Sequence, residues 1–139
     1  MALSLRTLPA VIAWCLFATS CFAVEGQYYS VNYEPTGREG GLQIGVTHTL
    51  WIPDSAKTVR GIIIHQHGCG EGACKSGETA AYDLHWQALA AKWDCALLGP
   101  SYRQAQEQSC RLWCDPRNGS ANVLLSSLQK LAKDSKHPE

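Results

Sequence analysis

Neither sign of charge prevails in this chain. Its 139 residues carry 12 Lys and Arg against 12 Asp and Glu, which gives no electrostatic case for nucleic acid or for an acidic surface as partner. Charged residues are also scarce, 17% against 45% apolar, which excludes a disordered chain and implies one exported, globular, mixed α/β unit. No internal repeat, low-complexity tract or second domain is visible. No apolar run has the length of a membrane span, since the stretch from Leu8 to Phe17 is short and interrupted by Pro9. No Gly-x-Ser-x-Gly occurs, so the usual strand-to-helix seat of a serine nucleophile is missing. No organic cofactor is implied.

What is present begins with a leader. Met1 to Ala23 has a short n-region with Arg6, an apolar stretch and small residues ending at Cys21-Phe22-Ala23, the pattern of a signal peptide and of a secreted or periplasmic product. Ala18-Thr19-Ser20-Cys21 weakly matches a lipidation site at Cys21, but Ala18 stands where Leu or Val is usual, which favours simple secretion. Residues 24–139 keep Cys69, Cys74, Cys95, Cys110 and Cys114. Export predicts two bridges and one free thiol. The local pairs Cys69–Cys74 and Cys110–Cys114 are expected, each clipping a loop, with other connectivities open. Cys95, inside an apolar run, is the expected buried free thiol. Asn118-Gly119-Ser120 is a glycosylation sequon if the source is a eukaryote.

Periodicity predicts strand, strand, strand, helix, strand, helix. Residues 27–33 are rich in β-formers and end at Glu34-Pro35-Thr36-Gly37. Residues 42–51 begin with strict alternation, and Ile62-Ile63-Ile64 reads as a strand buried on both faces. A helical stripe of Tyr82, Trp86, Leu89 and Trp93 predicts one helix over 78–93, capped by Ser76 or Thr79. Residues 94–98 form a short strand ending at Gly99-Pro100. Ser120 then caps a helix with the stripe Leu124, Leu128 and Leu131, closed by Lys130, Lys133, Lys136 and Pro138. Strands alternating with helices imply right-handed crossovers and a mostly parallel sheet.

The chemistry concentrates in Gly61-Ile62-Ile63-Ile64-His65-Gln66-His67-Gly68-Cys69-Gly70, an apolar strand opening into a Gly-rich loop with two histidines. With the element order and a strand ending Leu98-Gly99-Pro100-Ser101-Tyr102, the chain resembles the secreted α/β hydrolases of the esterase and depolymerase-like group. The resemblance covers roughly residues 27–139. It implies the N-terminal part of an α/β-hydrolase domain: a partial, mostly parallel sheet with two leading strands and two flanking helices. It implies a small-molecule or polymeric ester as substrate. In such enzymes the loop after the third strand supplies a backbone N–H to the oxyanion hole. By this resemblance that donor would be the N–H of Cys69, Gly68 and Gly70 would let the backbone approach the substrate closely, and His67 would support the loop by hydrogen bonding. A Cys69–Cys74 bridge would fix the donor's orientation. The Ser, Asp and His of the triad are expected in a half that would follow residue 139, so the chain alone is expected to be inactive, marginally stable and aggregation-prone, with apolar edge surface exposed.

Other readings compete. Ser76, Ser101 and Ser120 lack an elbow context and read as loop or cap hydroxyls. His65, His67, Cys69 and Cys74 make a candidate zinc or copper set, because His-x-His on a strand points both rings to one face. Export, however, favours a disulfide over free thiolates, and the His-x-His-x-Asp-His arrangement of binuclear zinc hydrolases is absent. A non-catalytic secreted binding module using Tyr28, Tyr29, Trp51 and Trp113 is the third reading, although aromatics at strand spacing are more often core.

Overall fold

A computed structural model describes residues 24–137. The leader, Cys21 and Pro138 therefore lie outside the described residues. The elements run β1 (Gly26–Tyr33), β2 (Val46–Pro53), β3 (Gly61–Ile64), α1 (Glu71–Ala80), α2 (Leu84–Lys92), β4 (Cys95–Tyr102), α3 (Arg111–Cys114), a 3₁₀ turn (Pro116–Asn118) and α4 (Ser120–Ser135). The sheet order is β1-β2-β4-β3. β1 pairs with β2 and β2 with β4 antiparallel, and only β3 and β4 are parallel.

The expected mostly parallel sheet is thus overturned: the four strands form a mixed sheet, mostly antiparallel. The connections give the reason. Only β3 and β4 are separated by helices, and a helical crossover is what a parallel neighbour needs. Residues 34–45 and 54–60 contain no helix, so the alternation seen in one βαβ unit does not extend to the leading strands. Among the described residues four α-helices, not two, accompany the sheet.

Alternate residues of the strands feed two opposed cores. On one face Val31, Leu50, Ile52, Ala96 and Leu98 pack against Leu131, Leu124 and Leu128 of α4. On the other, Trp51 and Leu97 pack against Ala81 and against Ala90 of α2. A third cluster of Leu42, Ile44, Val46, Cys74, Tyr102 and Trp113 closes the end of the sheet that carries α3. α1 approaches β4 so closely that a Cβ on Gly77 would meet Pro100 O and stand 2.9 Å from Ser101 Cα.

Several expected boundaries move. The single helix over 78–93 is two, because Asp83 accepts hydrogen bonds from the N–H groups of His85 and Trp86 and starts α2 afresh. α1 begins at Glu71, so Ser76 and Thr79 lie within it and bond the carbonyls of Ala73 and Ser76. The N-cap of α4 is Gly119 rather than Ser120. β3 is not buried on both faces: it is an edge strand, with Ile62 40% and Ile64 43% exposed.

Candidate functional site

The loop from His65 to Gly70 joins the C-terminal end of β3 to the start of α1. Its first residue is still held by the sheet, His65 N–H donating to Leu98 O at 2.8 Å. Beyond it, none of the N–H groups from Gln66 to Gly70 finds an acceptor among the described residues. Gly70 sits at φ 100°, where a side chain would be strained, and gives α1 no side-chain cap. Consecutive free N–H groups beside an uncapped helix start form a concavity suited to a negatively charged oxygen. Glu71 brings the opposing charge, partly offset by Lys75 at 2.9 Å.

Two ties fix this loop. His67 is buried, with Nδ1 2.7 Å from Gly68 O and Nε2 accepting the Tyr102 N–H at 3.2 Å. These partners select the tautomer with hydrogen on Nδ1, and they occupy both ring nitrogens. The imidazole also packs against Trp113 and Tyr102, at centroid distances of 4.8 and 5.8 Å, and these two rings stack on each other. His67 is therefore a brace and not a free base.

The second tie is covalent. The bridge is Cys69–Cys110, spanning 41 residues, and it replaces both expected local pairs. Cys74, one turn into α1, points into the sheet-end core and donates to Gln104 Oε1 at 3.5 Å. Burial pushes its thiol pKa up. Cys114 is free and exposed, and Cys95 is free but only half-buried. Local spacing favours short loops, whereas the fold lays α3 against the loop after β3.

The metal set is not brought together. Cys69 is spent in the bridge, His67 is engaged at both nitrogens, and the His65 ring leans on Trp86 at 4.7 Å. Among the described residues no three His, Cys, Asp or Glu side chains converge on a metal position. The aromatics proposed for a binding face are divided: Trp51 and Trp113 are core, while Tyr28 stacks on Tyr82 at 4.5 Å.

No nucleophile assembles either. The Ser101 and Ser120 hydroxyls are buried and turned to the carbonyls of Cys74 and Asp115, and Ser76 bonds back to Ala73. A Ser–His contact does exist where the sequence reading missed it: Ser127 Oγ lies 2.7 Å from His48 Nδ1. Both side chains are fully buried, so this pair is sealed from any substrate. Desolvation lowers the His48 pKa to about 4, and its Nε2 has no partner among the described residues. The signal was legible: His48 continues the inward register of Ile44, Val46 and Leu50, and Ser127 falls on the stripe of Leu124 and Leu131. Gln104 was also missed. Its buried amide accepts from Trp113 Nε1 at 2.8 Å and donates to Gln108 O at 2.7 Å, seating α3 beside the loop.

Against protein-family models, curated proteins and solved structures, the chain has no match. The chemistry of the loop accordingly rests on its own geometry. Among the described residues no helix is long and apolar enough to cross a membrane.

Proposed function

We propose that this chain contributes the oxyanion-hole loop of a secreted or periplasmic serine hydrolase acting on carboxylic esters, and that it is inactive alone. The carrying observation is the run of unengaged N–H groups around Cys69, on a loop after the third strand that is held by the Cys69–Cys110 bridge and by His67. A tetrahedral intermediate places a full charge on one oxygen, and a preorganised backbone donor lowers its energy without moving at the moment of reaction. The partner this reading needs is the nucleophile-bearing remainder of the same domain.

The test begins with the coding sequence read past codon 139 in three frames. A Gly-x-Ser-x-Gly followed by Asp and His is expected, and the joined protein should hydrolyse p-nitrophenyl butyrate. Two double variants then isolate the donor. Cys69→Ala with Cys110→Ala keeps the N–H, whereas Cys69→Pro with Cys110→Ala removes it and should lower kcat by a further factor of roughly 100 or more. Equal activity of the two variants, or no nucleophile motif in any frame, would overturn the assignment.

A further inference from the structure

At the opposite end of β3 from the loop lies a groove of about 520 Å³, within the range of roughly 300–1,000 Å³ typical of small-ligand sites. It exists because α4 packs over β1 and β2 and stops short of the edge strand. Its floor is aliphatic: Ile52 of β2, Ile62 of β3, Ala96 of β4, and Leu128 and Leu131 of α4. Its rim is cationic. Lys57 and Arg60 come from the β2–β3 connection and Lys136 from the end of α4, with His137 beside them. No carboxylate lines the groove, and none of the three cations has an acidic partner among the described residues. In a chain whose charges balance overall, this is a local excess of one sign facing an apolar trough.

We propose that the groove binds a free fatty acid, its chain along the aliphatic floor and its carboxylate on Arg60, Lys57 and Lys136. The floor offers nothing to a compact polar anion, and burying a chain there removes apolar surface from water. The cations discriminate against a neutral chain of equal length, and the Arg60 guanidinium matches a carboxylate bidentately. The groove lies at the other end of β3 from the loop and borders the same open strand edge.

Calorimetric titration of the chain with dodecanoate, below its micellar concentration, tests this. Saturable one-to-one binding is expected, roughly tenfold or more tighter than for dodecanol, and weakening with salt. Lys57→Glu with Arg60→Glu should cost roughly tenfold in affinity at an unchanged melting temperature. Ala132→Trp, filling the trough from α4, should abolish binding. The proposal fails if dodecanoate does not saturate, if dodecanol binds as well, or if charge reversal has no effect. Binding only to anionic vesicles would overturn it in favour of a membrane surface. A dimer by ultracentrifugation that Arg60→Glu dissociates would overturn it in favour of a self-interface.

Discussion

Burial holds the His48 imidazole neutral, its pKa lowered from 6.5 to about 4 by loss of solvent. The unfolded chain takes up a proton below about pH 6.5 that the folded chain refuses until about pH 4. Stability from this residue is therefore complete above pH 6.5 and falls as the pH drops toward 4. The shift corresponds to about 3 kcal/mol. Asp115, held down to about 2 by Arg117, titrates below this window. Urea unfolding at pH 7 and pH 4 should show the loss, and His48→Phe should remove most of it. Ser127 keeps its bond to Val123 O in that variant, so no new orphan is created. A variant that retained the wild-type pH slope would refute the assignment to His48.

Local patterns carry elements further than boundaries. The four expected strands and the C-terminal helix exist, because apolar spacing records which face is buried, but the single helix expected over 78–93 is two. What was not legible is where neighbours change the rules. Gly99-Pro100 reads as a strand end, yet β4 continues to Tyr102, since β3 pairs only as far as Leu98 and a proline is tolerated once one side of the strand is open. The helical stripe runs through Tyr82 and conceals the break, which is set by the Asp83 side chain. Asp83→Ala should cost about 1 kcal/mol in chemical denaturation. Gly77 carries a different constraint, because its missing Cβ admits the β4 backbone. Gly77→Ala, although a gain in helix propensity on an isolated helix, should destabilise the protein by about 1–3 kcal/mol through overpacking. Stabilisation by that substitution would refute the overpacking argument for Gly77.

At the scale of the whole molecule, the candidate loop was legible as a motif, but the tie that holds it was not, because a bridge over 41 residues depends on which elements the fold brings together. A loop of that length implies about 4 kcal/mol of stabilisation from the restricted unfolded state, and reduction should lower the melting temperature by more than about 10 °C. The described fold also leaves apolar surface uncovered away from the fatty-acid groove. On the face opposite α4, Trp86 is 38% and Leu89 40% exposed along one side of α2, and Trp93 at its C-terminal cap is 55% exposed. Scattered exposed apolar residues are ordinary, whereas a contiguous helical stripe promotes association. The chain should therefore self-associate with rising concentration in sedimentation velocity runs. Leu89→Lys with Trp93→Lys should shift it toward monomer without lowering the melting temperature, because neither side chain belongs to the buried core. A wild-type chain that stays monomeric at high concentration would show that this stripe is tolerated in water, and the case that a further part of the domain covers it would lose its physical support.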